Sequence, residues 1–314
     1  MQGILSMGNM SKHGAARDLA EWALIWPILK TLEYLPLPLA RLEAALLAGV
    51  LRRSAPQLTR VARRNLSMAL PQIAQPEREV ILKGVFRSLG RSLVAFAQFP
   101  HLSRDNITRW IRYEGFEHFE DARRRGKGVL VATAHLGNWE LSAVAHGLYG
   151  HPMHILVRPL DNPYLDRLAS RYRTLSGNRV IEKTDSPRRI LEALAAGHAV
   201  GVLADQNASP DNGVFVDFFG VKACASTGLA RIALRTGAPV VPGFALWDES
   251  EKRYVLRFWP AIEMTVSGDP EAGVALSTQR IHSALEQIIR QHPEQWLWIH
   301  RRWKTRPSGE APIY

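Results

Sequence analysis

Cysteine is almost absent from this 314-residue chain: Cys224 stands alone, which excludes an intramolecular disulfide framework and a cysteine-based zinc site and fits a reducing compartment. Also missing is an uninterrupted apolar run of about 18 residues, the length a membrane-crossing helix needs. The opening residues lack an apolar core followed by a small-residue cleavage site, so export is not expected. There is no Gly-x-Ser-x-Gly elbow, no P-loop, no Gly-x-Gly-x-x-Gly after a strand and no Cys-x-x-Cys. Those absences remove the usual serine-hydrolase, nucleotide and zinc readings. His146, His151 and His154 fall across a helix end, a turn and a strand with no acid or cysteine to complete a metal set, so no metal is expected.

Acidic residues are in the minority, 29 against 40 Lys and Arg, for a net charge of +11. Such a balance favours an anionic partner, whether nucleic acid, an acidic membrane surface or an acidic carrier protein. The basic residues gather at Arg52, Arg53, Arg60, Arg63 and Arg64 and again at Arg301, Arg302, Lys304 and Arg306, clusters that equally suit a solvated charged face. A hydrophobic content of 46% is that of a folded protein.

What is present divides into two textures. After a flexible start of about 14 residues, the chain to about residue 105 has helical patterning. Its apolar stretches Ala23 to Leu29, Leu35 to Ala40 and Ala44 to Leu51 are broken by Pro27, Pro36, Pro38, Lys30, Glu33, Arg41 and Glu43. With Trp22, Trp26 and Tyr34 interleaved, they suit a segment lying in a membrane interface, or a helix pair packed on the core. Beyond residue 105, apolar runs at 128–134, 153–158, 178–182, 198–204, 239–246 and 253–259 alternate with amphipathic stretches near 139–149, 162–175, 187–196, 226–236 and 271–291. This predicts an α/β fold with a largely parallel central sheet flanked by helices and a helical N-terminal layer. No linker separates residues 1–105 from 106–314, so one continuous domain is expected.

The chemistry concentrates at Gly128 to Glu140, where an apolar strand delivers His135 to its carboxyl end and Glu140 follows in the first turn of a helix. Five residues apart on one continuous helix, the two would sit about 140° apart. They converge only if the chain turns between them, which Gly137 permits, with Asn138 as helix N-cap. Ligands of open α/β sheets bind beyond the carboxyl ends of the strands. The pair therefore suggests deprotonation of an alcohol, Glu140 orienting the imidazole and His135 acting as general base. Backbone N–H groups from Gly137 to Trp139 are candidate oxyanion donors. Strand 198–204 ends in Asp205-Gln206, which a parallel sheet would bring to the same crevice, although a turn or cap aspartate is the alternative. Arg158 at a strand end, and Arg171 among the arginines of the next helix, are candidate clamps for a phosphate or carboxylate. Phe218 and Phe219, in the glycine-bounded aromatic run from Gly213 to Gly220, either line an acyl-chain channel or belong to the core.

At His135-Leu-Gly-Asn-Trp-Glu140 the chain resembles the late acyltransferases of lipid A biosynthesis, whose signature is His, four residues, then Asp or Glu. The resemblance continues in order through Val157-Arg158-Pro159 with Asn162-Pro163, Leu203-Ala204-Asp205-Gln206, Val216 to Gly220, and Pro293 to Lys304, with Arg63-Arg64-Asn65-Leu66 upstream. It implies a fold like the glycerol-3-phosphate acyltransferases. It also implies transfer of a fatty acyl chain from an acyl carrier protein thioester, or acyl-CoA, to a hydroxyl of a phosphorylated lipid A precursor. The site that follows has His135, Glu140 and Asp205 as catalytic residues and Asn138, Arg158, Arg171, Gln206, Phe218 and Phe219 against substrate. Asp205 enters as counterpart of the distant carboxylate that the related mycobacterial mannoside acyltransferases pair with their histidine. No metal or redox cofactor is required, and nucleic acid is not an expected partner. The expected location is the cytoplasmic face of the bacterial inner membrane, with peripheral or N-terminal attachment. Two departures from the family pattern stand out: a short, proline-broken, charged N-terminal region, and Asp217 where the family has proline. Acylation of a lysophospholipid or other glycolipid, thioester hydrolysis, and a basic binding protein without catalysis are the competing readings.

Overall fold

A computed structural model describes residues 14–182 and 186–314; the expected flexible start falls almost wholly outside the described residues. Four helices come first: α1 (Ala15–Tyr34), α2 (Leu37–Ser54), α3 (Pro56–Ala69) and α4 (Gln75–Ala97). Prolines in the first turns of α2, α3 and α4 start each helix where an N–H would have no partner. Leu29 and Leu32 of α1 and Ala40 and Ala44 of α2 pack against Val94 and Ala97 of α4. The outer sides of α1 and α2 leave Leu19, Leu24, Leu39, Leu42, Leu46 and Val50 more than half exposed. No helix among the described residues is long and apolar enough to cross a membrane.

The remainder is built on strands β1 (Ile111–Glu114), β2 (Val129–Thr133), β3 (His154–Val157), β4 (Arg179–Glu182), β5 (Ala199–Leu203), β6 (Gly213–Phe218), β7 (Val221–Ser226), β8 (Val240–Asp248) and β9 (Arg253–Phe258). Between and after them lie α5 (Phe116–Arg124), α6 (Trp139–Leu148), α7 (Pro163–Thr174), α8 (Ser186–Ala195), α9 (Gly228–Thr236) and α10 (Pro270–Gln291). Seven strands form one sheet in the order β1-β9-β8-β2-β5-β3-β4. All neighbours run parallel except β8 and β9. The expected largely parallel α/β sheet with its helical front is therefore what forms, and β1 and α5 add to it.

Every residue of β2 is buried, as a central strand covered on both faces requires. Leu130 and Ala132 face a core shared with Leu66, Phe86, Leu194 and Leu285, whereas Val129 and Val131 face one shared with Phe119, Val144 and Tyr172. The aromatic run at 213–220 is a separate hairpin of β6 and β7. Its two-residue loop, Phe219-Gly220, has φ of +57° and +73°, the positive pair of a type I′ turn.

Candidate active site

Register decides which side chains meet. β2 and β5 pair in parallel with Thr133 opposite Leu203, so His135 and Asp205, each two residues further on, leave the sheet side by side. His135 Nδ1 lies 2.9 Å from Asp205 Oδ1, and the His135 backbone N–H donates to Asp205 Oδ2 at 3.0 Å. The indole N–H of Trp296 donates to the same Oδ2 at 2.8 Å. Asp205 is 3% exposed, so these N–H groups replace the water its charge has lost. Burial raises its pKa, but the imidazole's charge and the N–H donors outweigh that and hold Asp205 below the usual carboxylate range. Burial in turn lowers the pKa of His135, yet the charge and hydrogen bond of Asp205, with a smaller contribution from Glu140, leave it raised.

With Nδ1–H donating to Asp205, the opposite nitrogen carries the lone pair. Nε2 lies 3.2 Å from Nε2 of the exposed Gln206, whose amide donates to it. A narrow crevice, too tight in this structure to admit a water molecule, lies beside the ring, lined by Trp139, by Val85, Ser88 and Leu89 of α4, and by Gln295, Trp296 and Leu297. What presents itself to a ligand is therefore a basic imidazole nitrogen whose tautomer is fixed by a buried carboxylate.

The turn after His135 is built as its sequence predicts. Gly137 has φ +64°, and a Cβ there would stand 2.0 Å from the Ala245 carbonyl oxygen. Asn138 caps α6 by accepting from Leu141 N at 3.0 Å; it is 1% exposed and serves the turn instead of facing substrate. The same turn occupies two of the three expected oxyanion donors. Gly137 N–H donates to Gln295 O at 3.0 Å and Asn138 N–H to Ala245 O at 2.8 Å, so both are already bonded.

Glu140 does not orient the imidazole. Its carboxylate takes a two-pronged bond from Arg173 of α7, at 2.9 Å from Nε and 2.6 Å from Nη2. The turn aims His135 at β5 and the first turn of α6 aims Glu140 at α7, so the two diverge. Arg171, two positions before Arg173 and about 200° around the helix, is exposed. Arg158 is also at the surface, 3.6 Å from Asp161. Neither clamps anything in the crevice. Phe218 and Phe219, 0% and 4% exposed, line no open channel. Their rings pack on Trp296, Trp298 and Trp303, because the tight hairpin folds both onto the core. They support the tryptophan that bonds Asp205. Arg173 and Trp296 are the participants that local patterning did not single out.

Fold and site together define an α/β protein with a histidine–aspartate pair at the carboxyl ends of parallel strands. The chain belongs to the bacterial lipid A biosynthesis acyltransferase family, which it matches over residues 10–305. It is 31% identical over 81% of its length to the lipid A biosynthesis palmitoleoyltransferase of Escherichia coli K12, also covering 81% of that protein. With the lauroyltransferase of the same organism it shares 28% identity over 98% of this chain and all of the relative. The myristoyltransferase is 25% identical over 80% of this chain and 76% of its own.

Proposed function

We propose that this protein transfers a fatty acyl group from a carrier thioester, on acyl carrier protein or coenzyme A, to a hydroxyl of a lipid A precursor. The observation that carries the reading is the His135–Asp205 pair, with Nε2 on the far side of the ring facing the exposed Gln206. The acceptor hydroxyl displaces Gln206 from Nε2 and gives its proton to that nitrogen as its oxygen attacks the thioester carbonyl. The tetrahedral intermediate collapses, the C–S bond breaks, and the imidazolium returns the proton to the thiolate. Products are the ester and the free carrier thiol. Asp205 fixes the tautomer and stabilises the imidazolium. The Gln206 amide, released from Nε2, is a donor within reach of the oxyanion. Such base catalysis contributes about 10²- to 10⁴-fold.

Glu140, matched by Arg173, shapes the wall beside the base and takes no proton. The exposed apolar faces of α1 and α2, on a chain of net charge +11, support peripheral attachment to the anionic cytoplasmic surface of the inner membrane, where acceptor lipid is reached from the side. The test is transfer of a radiolabelled acyl chain from both thioesters to the lipid A precursor and to lysophospholipids, with His135→Ala alongside. Label in the precursor, lost in the variant, supports the proposal. Transfer that survives His135→Ala removes the base, label confined to a lysophospholipid removes the acceptor, and hydrolysis outrunning transfer makes the protein a thioesterase.

A further inference from the structure

A second constellation stands at the same end of the sheet, and the acyl-transfer mechanism does not use it. Trp247, near the end of β8, has two guanidinium groups over its indole: that of Arg91 from α4 lies 4.5 Å from the ring centroid and that of Arg41 from α2 lies 5.5 Å away. Both reach it because α2 and α4 touch. Gly90 lies so near α2 that a Cβ there would come within 2.9 Å of the Ala44 carbonyl oxygen. Trp247 is itself pinned by Gln295, whose side chain accepts from its N–H at 2.8 Å and donates to its carbonyl at 3.2 Å. Gln295 also lines the crevice at His135.

The charges of this cluster are not balanced. Arg91 pairs with Glu249, and Glu249 also takes Lys252 at 3.0 Å. Arg41 makes no ion pair among the described residues; its hydrogen bond goes to the Lys252 carbonyl at 3.5 Å. The other acids of that turn are occupied, Asp248 by Ser250 and the N–H of Glu251, and Glu251 by Arg112 and Arg253. Two cations therefore share one carboxylate, and Arg41 beside them has none among the described residues. Ser88 and Leu89 of α4 line the crevice, so Arg91 lies within about one helical turn of it.

We propose that Arg41 and Arg91, set over the Trp247 ring, form a subsite for a phosphate group of the substrate. Resting on the acyl-transfer reading above, this names the part of the acceptor that is recognised. A guanidinium held over an aromatic ring is restrained in position, and its fork of N–H donors matches phosphate oxygens. Phosphate could come from the lipid acceptor or from the phosphopantetheine arm of the donor. The acceptor is favoured because α2, which carries Arg41, also exposes Leu39, Leu42, Leu46 and Val50.

The experiment compares Arg41→Gln and Arg41→Lys with wild type on lipid A precursor bearing or lacking its phosphates, and on acyl carrier protein thioester against a short acyl thioester without phosphate. The expected result is a fall of about tenfold in the preference for phosphorylated acceptor in Arg41→Gln, the size of one charge-assisted hydrogen bond, and a smaller fall in Arg41→Lys. A loss confined to the carrier thioester keeps the phosphate site and assigns it to the donor. A readout without turnover runs beside it: inorganic pyrophosphate raises the unfolding temperature of wild type more than that of Arg41→Gln. Wild type that transfers acyl groups while Arg41→Gln keeps both preferences and the full pyrophosphate shift overturns the inference and leaves the proposed function standing. If wild type transfers nothing, the function fails and the pyrophosphate shift still decides the site.

Discussion

Replacing Asp205 by Asn tests the proposed mechanism at its narrowest point. Asp205 Oδ2 accepts from two N–H groups, the His135 backbone and the Trp296 indole, while Oδ1 faces His135 Nδ1. An amide has one oxygen, and the position facing two donors claims it. The NH₂ then faces Nδ1 and can bond it only as a donor. The imidazole must therefore switch its proton to Nε2, the atom that would take the acceptor's proton. The shape of the site survives and the base is lost. The expected effect is a fall in kcat of about 10²- to 10⁴-fold, the worth of general-base catalysis when the wrong tautomer is imposed. Steady-state transfer of labelled acyl groups measures it, and circular dichroism checks that the fold is kept. A folded Asp205→Asn protein within threefold of wild-type kcat would refute the tautomer argument and the role of Asp205 with it.

Four further expectations follow from the same contacts. Glu140→Gln leaves the Arg173 guanidinium, only 11% exposed, without its anion, and should lower stability by about 3 kcal/mol in denaturant unfolding, with Glu140→Gln/Arg173→Met partly restoring it. An unchanged midpoint in the single variant would show the pair to be solvent-screened. Arg173→Met should instead leave the Glu140 charge bare beside His135, raising the imidazole pKa further, so the acidic limb of kcat/KM moves to higher pH; a limb that stays put or moves down contradicts the sign. Gly137→Ala should cost more than about 2 kcal/mol, since φ is +64° and the new methyl would stand 2.0 Å from a carbonyl oxygen, and a thermal melt within a degree of wild type would speak against that geometry. Because folding lowers the pKa of Asp205 from 3.8, its contribution to stability is present above that pH and is lost as pH falls below it; Asp205→Asn should remove that part of the acid-induced loss, as urea unfolding across pH 2 to 5 would show.

The parts legible in the sequence are those with local causes. The apolar run of β2, the glycine that must follow it and the asparagine that caps α6 are all readable from residues 128 to 140. The position of Asp205 at a strand's end was equally local, but its partnership with His135 depends on the register between β2 and β5, fixed by strands some 70 residues apart. Spacing within one motif made Glu140 the natural partner of His135. The angle at which α7 crosses α6 decides otherwise, and no residue within the motif encodes that angle. The same phase relation selects Arg173 over Arg171. The N–H groups of Gly137 and Asn138 are withdrawn from the expected oxyanion donors for a comparable reason, since their carbonyl partners belong to residues 245 and 295. Phe218 and Phe219 carried both a core and a channel reading, and only the hairpin turn, which places both rings on Trp296, separates them.

The site holds two carboxylates and one imidazole, and their unequal partners explain the division of labour. Asp205 is bonded to neutral N–H donors, so its charge acts on the imidazole. Glu140 is matched by a guanidinium in two-pronged contact, so little of its charge is left to act. A general base works best when its pKa lies near the working pH, and two bare carboxylates beside His135 would hold it protonated. In the proposed mechanism Arg173 thus keeps the motif glutamate from spoiling the base that the aspartate prepares. Trp296 supplies Asp205 with a donor that carries no charge, and its segment is tied to the helical layer through Asn65, whose amide donates to Trp298 O at 2.7 Å and His300 O at 2.8 Å. The proposed base is thus held by contacts from the N-terminal helices, the sheet and the C-terminal segment together.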